Sequence, residues 1–404
     1  MPKNFSWIKI PAVQQLITHL TYKGHDFKFV GGCVRNSLLN LPVADYDIAS
    51  NLTPIENQTH LLEQGVKVKN LGFQYGSILA IIENTPFEIT SLRKDIHNNG
   101  RHPIVEFTAD FKEDALRRDF TINALYLCPK TLEVTDYVGG LNDLNSGVVK
   151  FIGNPAARIQ EDYLRILRFF RFSAYYSKTS FDRDVLEIMK LYAKNLSNLP
   201  TSRIAGEFYK IMASPNPSET LGALSSYEIL NSLIELSVTE VANFQNFLHL
   251  EHEFGLYNVL YRIAFILNDF QNLHKIIIKK ADLQKVYNII LLKTYIIKNK
   301  ITDWNDFAYL LTNYSIHDVY GALLCVASNL TTQHIYSNIL HTIMAKAEEI
   351  FPINGHHLIS LGIKDKKNIK ILLRYLQTIF WQSPLQTTEE YLESAKHIII
   401  TNNY

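Results

Sequence analysis

The chain has 404 residues, 47% of them hydrophobic and 20% charged, and carries a formal net charge of +1. That length holds two to four domains at roughly 100 to 200 residues each. The composition excludes a mainly disordered chain, and no run of about 18 uninterrupted apolar residues is present to cross a membrane. Up to about residue 150, short β-type runs (Lys28 to Val30, Tyr46 to Ala49, Ser77 to Ile82, Phe87 to Arg93, Ala124 to Leu127, Glu133 to Val138) alternate with helical patches at Val34 to Leu39 and Pro54 to Gln64. Glu83, Asn84, Thr85 and Pro86 mark a turn that joins two strands antiparallel. Beyond Phe151 strand signals almost vanish, and apolar residues recur at helical spacing in stretches such as Ile159 to Tyr175 and Phe181 to Leu196. Only 17 glycines and 13 prolines are present, which favours long helices over turn-rich β structure. Helix breaks are expected at Leu199 to Ser202, Ser214 to Pro217, Phe351 to Gly355 and Ser383-Pro384. The fold class is therefore α+β, with one sheet in a small N-terminal part and an all-helical remainder. The N-terminus lacks a secretory signature, and Cys33, Cys128 and Cys325 are odd in number and far apart, so a cytoplasmic, reduced protein is expected, with neither a membrane nor an obligate protein partner.

The densest chemistry lies in FVGGCVRNSLLNLPVADYDIAS. Gly31-Gly32 ends a strand, a helix follows, and Asp45 and Asp47 lie two apart on a second strand, so that both carboxylates project from one face. Such a pair can bind hard divalent cations, and metals clamping a triphosphate would activate an attacking hydroxyl and stabilise leaving pyrophosphate. Glycines let the backbone approach phosphate oxygens, and Arg35 adds a guanidinium fork. Each piece alone is common, as a structural turn or as solvated charge; the combination at a spacing of 13 to 15 residues is not. Glu88 reads either as a third carboxylate on the same metals or as a plain edge-strand residue.

With RRDFTINA at Arg117 to Ala124 and QEDYLRILRFFRF at Gln160 to Phe172, these motifs in this order closely resemble the class II tRNA nucleotidyltransferases, the CCA-adding enzymes of the polymerase β superfamily. The resemblance is strong over residues 27 to about 210 and diffuse beyond. It implies a polymerase-β-like nucleotidyltransferase head with one mixed sheet over 1–150, a helical neck with a nucleotide-selecting helix over 151–215, and a helical body and tail that bind tRNA over 216–404. It implies addition of C, C and A to the tRNA 3′ end from CTP and ATP. Asp45 and Asp47 would bind Mg2+, Gly32, Arg35 and Arg118 would hold the nucleotide, and Asn123 would brace the sugar side. Asn36, where the family commonly has Asp, reads as a helix N-terminal contact.

Asp162 and Arg165 stand at i and i+3, which on a helix places both on one face, with Arg168 and Arg171 continuing the row. The bland reading is a charged stripe. Chemically, a carboxylate accepts from the amino group of cytosine or adenine while a guanidinium donates to cytosine O2 and N3 or adenine N1; uracil and guanine leave desolvated groups unpaired. The resemblance assigns that protein-template role to Asp162 and Arg165 and nucleotide contacts to Arg168 and Arg171. The stretch SLRKDIHNNGRHPIVEF, with Asn98-Asn99-Gly100 as a turn, resembles the family's flexible loop on Arg93, Asp95, Gly100, Arg101 and Pro103, which favours full CCA addition over CC addition.

Rival readings are a poly(A) polymerase, a CC-adding enzyme of the same superfamily, and an inactive RNA-binding protein. Ser202 departs from the family's Glu-Arg-Ile-x-x-Glu helix, whose bracing pair it puts in question, and His357 replaces an expected Asp, with His356-His357 reading as surface or cap chemistry. Seven lysines against Asp282 give +6 between Lys275 and Lys300, which suits RNA backbone binding or a solvated helix face. Oligomeric state and the mode of tRNA contact by the tail are not readable from the sequence.

Overall fold

The computed structural model describes residues 5–21, 25–97, 104–215, 217–236, 238–267, 270, 273–383, 385 and 387–402. It divides into two compact units, Met1–Ser232 and Leu233–Tyr404.

The first unit is built on a mixed seven-stranded sheet. Its strands are β1 (Phe27–Val30), β2 (Asp47–Ser50), β3 (Lys67–Gly72), β4 (Ser77–Ile82) and β5 (Thr85–Ser91). A separate hairpin pairs β6 (Arg93–His97) with β7 (Ile104–Phe107), and β8 (Leu125–Leu127) and β9 (Val134–Asp136) complete the large sheet, whose order is β3-β4-β5-β2-β1-β8-β9. All its pairings are antiparallel except β2 with β5. The expected turn is a two-residue hairpin, with Glu83 and Asn84 both at positive φ as a strand-twist-matched turn demands. The run read as one strand from Phe87 to Arg93 is two: β5 ends at Ser91, and Arg93 opens the β6–β7 hairpin. The expected loop Asn98 to Pro103 and the Asp95 side chain lie outside the described residues.

Helices clothe the sheet for reasons written locally. Helix α1 (Pro11–Thr21) buries Ala12, Val13, Leu16 and Leu20, one helical stripe. Helix α2 (Gly32–Leu38) follows β1 directly, and α3 (Pro54–Glu63) starts at a Thr53–Glu56 capping box with Pro54 in its first turn. Asp110 caps α4 (Phe111–Arg117), whose Phe111 and Ala115 pack with Val30, Ala49, Tyr126 and Ile152. After α5 (Gly140–Ser146) come α6 (Pro155–Glu161), α7 (Leu164–Tyr176), α8 (Arg183–Tyr192), α9 (Thr201–Met212) and α10 (Ser218–Ser226). Phe120 and Phe151 of the sheet region pack against Phe169 and Phe172 of α7, at ring separations of 5.4 to 6.2 Å. Burying one such ring contributes about 1.5–3 kcal/mol, so α7 is firmly seated on the sheet-bearing part.

The second unit is helical: α11 (Val238–Glu253), α12 (Val259–Ile266), α13 (Lys280–Asn299), α14 (Trp304–Asn313), α15 (Ile316–Ala327), α16 (Gln333–Ala347), α17 (Gly355–Ser360), α18 (Lys366–Gln382) and α19 (Thr388–Asn402). Every residue of α15 from Asp318 to Ala327 is buried, so it is the central element of this unit. Each of the four expected helix breaks falls at a helix end, with Thr201 and Ser202 opening α9 and Gly355 opening α17. His357 is cap chemistry: its Nδ1 accepts from the Asn354 backbone N–H, and the Asn354 side chain accepts from His356 and His357. Lys293 does not belong to the basic surface; it is buried, donates to the carbonyls of Phe265 and Leu267, and pairs with Glu240. Among the described residues no helix is long and apolar enough to cross a membrane.

Candidate active site

Strand β2 begins at Asp47, and Asp45 lies in the segment just before it. The parallel pairing sets Asp47 opposite Glu88 of β5. Phe87 and Ile89, fully buried, point to the other face, so Glu88 shares the face of Asp47. Strand β5 lies between β4 and β2, which overturns the edge-strand reading of Glu88. Burial pushes the Asp47 carboxyl above its ordinary range, with Asp45 adding repulsion and Arg118 opposing it. Burial, then Asp47, pushes Glu88 up as well. Cys33, beside them, donates its thiol to the Val30 carbonyl at 3.4 Å, and burial raises it to about 12, so it stays neutral.

Among the described residues no group of three or more His, Cys, Asp or Glu side chains is placed to hold a metal ion. The donor set is instead an Asp45–Asp47 pair in which Asp47 is largely buried and accepts no hydrogen bond from the described residues. That suits a small hard cation that takes one or two carboxylates and draws its remaining oxygens from a substrate.

Gly31 supplies the turn between β1 and α2 at φ +73, a conformation that suits glycine alone. A Cβ there would lie 3.7 Å from Asp47 Oδ2 and 3.8 Å from Arg118 Nη1, so carboxylate and guanidinium flank the bare backbone. Arg118 is aimed by Asp114, which accepts from its Nε at 3.1 Å and its Nη2 at 3.0 Å and from the Tyr126 hydroxyl at 2.7 Å. Arg117 completes the set, with its Nε 2.8 Å from Asp114. Arg35 is buried, and its guanidinium donates to Asn123 Oδ1, to Asn36 Oδ1 at 3.0 Å and to the Tyr176 hydroxyl at 2.7 Å. Asn123 also donates to Asp119, at 3.1 Å.

Helix α6 ends at Glu161, Asp162 has extended backbone (φ −155, ψ 107), and α7 starts at Leu164. The expectation that Asp162 and Arg165 share a helix face is corrected: Asp162 sits in a break, where its carboxylate accepts from the Leu164 N–H at 3.1 Å and competes with helix continuation. Its other partner is Arg203 of α9, at 2.6 and 3.3 Å. Arg165 donates through Nη1 to Glu161 and to the Arg158 carbonyl, and neither Nε nor Nη2 has a hydrogen-bond partner among the described residues. Arg168 donates to Asp119 at 2.8 Å, and Arg171 to Glu207 at 3.1 Å. Asp119 is held down to about 2 against the cost of its burial, by Arg168 and Asn123.

A cavity of about 410 Å³ opens elsewhere on the neck, but the one that gathers predicted site residues is about 310 Å³. It is lined by Arg117, Arg118, Asp119, Asp162, Leu164, Arg165, Arg168 and Arg203. Five arginines against two aspartates make it an anion-attracting pocket. Asp162, Arg165, Arg168 and Arg118 thus come together, Asp47 and Arg118 flank Gly31 with Arg35 beside Gly32, Asp45 lies exposed near Asp47, and Arg171 stands outside the lining on Glu207. The bracing put in question by Ser202 is carried by Arg203 and Glu207, one turn apart on α9. Arg203 and Asp114 were missed as site residues; the signals were the Arg203–Glu207 spacing and the three- and four-residue spacing from Asp114 to Arg117 and Arg118.

Residues 27–150 match the family described as Poly A polymerase head domain, and residues 180–237 the family described as Probable RNA and SrmB- binding site of polymerase A. The chain is 37% identical over 227 residues to the human mitochondrial CCA tRNA nucleotidyltransferase 1, covering 52% of each chain. It is 37% identical over 217 residues to a CCA-adding enzyme of Streptococcus gordonii, covering 53% of this chain and 52% of that one. The chain thus spans about half the length of the curated relatives it matches. In fold it resembles the Bacillus stearothermophilus CCA-adding enzyme in complex with CTP, with a TM-score of 0.71, 20% identity, and coverage of 97% of this chain and 100% of that one. It also resembles the Thermotoga maritima CCA-adding enzyme complexed with tRNA, with a TM-score of 0.69, 18% identity, and 96% of each chain covered. Residues 27–150 thus carry a domain of the poly A polymerase head class. The curated relatives it matches over about half their length are CCA-adding tRNA nucleotidyltransferases.

Proposed function

We propose that this protein adds C, C and A to the 3′ end of tRNA from CTP and ATP, with Mg2+ and without a nucleic-acid template. The observation that carries the reading is the arrangement around Gly31: a half-buried Asp47 carboxylate, which accepts no hydrogen bond from the described residues, and the aimed Arg118 guanidinium on either side of bare backbone. The arginine-rich pocket that Arg118 also lines contains Asp162 and Arg165. Bound Mg2+ would lower the pKa of the tRNA 3′ hydroxyl and stabilise the charge of leaving pyrophosphate. Asp45 and Asp47 hold the cation, with Glu88 beside them, while Arg118 and Arg35 receive the triphosphate along the Gly31–Gly32 turn. Asp162 reads the amino group of cytosine or adenine. Arg203 occupies only part of the acceptor capacity of that carboxylate, so it orients Asp162 without blocking it. Arg165 is anchored through Nη1 and donates to the base from its remaining nitrogens. Residues 1–150 act as the catalytic head, 151–215 as the neck and 216–404 as the tRNA-binding body and tail. Three unpaired cysteines support a reducing compartment such as the cytosol.

The test uses transcripts that end before CCA, after C and after CC, with CTP and ATP supplied separately and together, followed by product sequencing. Addition that stops at CCA, and is lost in Asp45→Ala, is expected. A stop at CC would reassign the protein to CC addition, long A tails to a poly(A) polymerase, and no incorporation to an RNA-binding role.

A further inference from the structure

Helix α7 begins beside Asp162 and ends at Tyr176, 13 residues or about 20 Å in all. At that far end the Tyr176 hydroxyl accepts from Arg35 Nη2 at 2.7 Å and donates to Asn36 Oδ1 at 3.1 Å. Its ring lies 4.1 Å from the Arg35 guanidinium carbon, and the Phe172 ring lies at 5.3 Å. Arg35 is buried, yet among the described residues it makes no ion pair; its acceptors are two amide oxygens and a phenol. Burial accordingly pushes its pKa down, and Tyr176 is the first influence that opposes this. Its Nη2 lies 3.8 Å from where a Cβ would sit on Gly32, at the turn where phosphates would approach. A desolvated guanidinium surrounded by neutral acceptors keeps its charge uncompensated, ready for an anion.

We propose that Tyr176 is a positioning residue that holds Arg35 on the triphosphate, and that α7 makes the phosphate grip and the base-reading end parts of one rigid element. This rests on the reading of the site as nucleotidyl-transferring. Asn36 is what makes the tyrosine necessary: an amide oxygen offers Arg35 a weaker partner than a carboxylate would, and the phenol bridges the two.

The experiment is steady-state incorporation of CTP and of ATP by wild type, Tyr176→Phe, and Tyr176→Phe with Asn36→Asp, alongside thermal unfolding. Tyr176→Phe keeps the ring stack and removes the hydroxyl. It is expected to raise KM for both nucleotides roughly tenfold, the size of one hydrogen bond to a charged group, with kcat changed by less than about threefold and the unfolding midpoint within about 3 °C. Asn36→Asp is expected to raise KM further in that background, because a carboxylate cancels the charge that Arg35 holds for the triphosphate; a tyrosine that only packs would leave the KM of Tyr176→Phe at the wild-type value. Should Tyr176→Phe not fold, Asn36→Ala removes the acceptor and keeps the ring, and the same rise in KM is expected. Unchanged KM in an active Tyr176→Phe variant, or a fall in kcat and stability in place of the rise in KM, overturns the proposal while leaving the nucleotidyl-transfer reading intact. No incorporation by wild type overturns both.

Discussion

Asp114→Asn is the perturbation whose size the structure fixes best. The carboxylate is 1% exposed and takes hydrogen bonds from the Tyr126 hydroxyl, from Arg117 and twice from Arg118. Against the cost of burial, Arg118 and Arg117 hold its pKa down from 3.8 to about 2. That depression amounts to about 2 kcal/mol of stability at neutral pH. The amide keeps the shape but leaves Arg118 largely buried without a counter-charge, and breaking a buried pair typically costs about 3–5 kcal/mol. Because Arg118 keeps 17% exposure, the lower part of the combined range, about 2–4 kcal/mol, is expected at pH 7. The sign follows from the lowered pKa: the contribution is complete above the unfolded carboxyl pKa near 4 and disappears as pH falls towards 2. The gap between wild type and variant should therefore narrow below about pH 4. Urea unfolding followed by amide exchange in β8, where Tyr126 lies, measures both. A loss under about 0.5 kcal/mol at pH 7, or an equal gap at pH 7 and pH 3, would refute the reasoning.

Asp47→Asn is expected to cut incorporation by roughly a thousandfold, the scale of a lost metal ligand, without lowering the unfolding free energy at pH 7. A carboxylate whose folded pKa is raised opposes folding once pH exceeds its unfolded pKa, so a destabilised Asp47→Asn would contradict the assignment. Arg203→Ala frees the Asp162 carboxylate from its brace and should raise KM for CTP and ATP about tenfold while increasing misincorporation of UTP; a variant with unchanged fidelity and KM would remove Arg203 from the site. Replacing the exposed Lys279, Lys280 and Lys285 by Ala should flatten the salt dependence of tRNA binding by about two in log–log slope, and an unchanged slope would move the RNA contact elsewhere.

What the sequence made legible, and what it hid, divides along range. Strands such as Ser77–Ile82 alternate buried and partly exposed residues and are readable directly. Strand β3 is not, because KVKNLG lies at the sheet edge with exposed and half-exposed residues and so carries no apolar period. The helical pattern from Ile159 to Tyr175 runs on across Asp162 because apolar spacing survives a two-residue break. The cause of that break, a carboxylate tied to Leu164 and to an arginine 41 residues away, leaves no mark in the local pattern. Asp45 and Asp47 stood out by residue type and spacing, and Arg118, Asp162 and Arg165 by their place in the motifs that carry the family resemblance. Their protein partners were not, since Asp119–Arg168, Asp162–Arg203 and Glu207–Arg171 each join separate segments.

Those partners explain how so many arginines coexist in one small pocket. Arg118, Arg165, Arg168 and Arg203 repel one another, and each is given a carboxylate from the protein: Asp114, Glu161, Asp119 and Asp162. Paired in this way, each side chain has already lost its rotamer freedom, so a nucleotide that enters meets fixed donors and pays little further ordering cost. Arg35 is the exception, buried with neutral partners beside the Gly-Gly turn. On the nucleotidyl-transfer reading, the paired arginines, Arg118 at the turn among them, supply fixed hydrogen-bond geometry, while Arg35 adds uncompensated charge for the triphosphate.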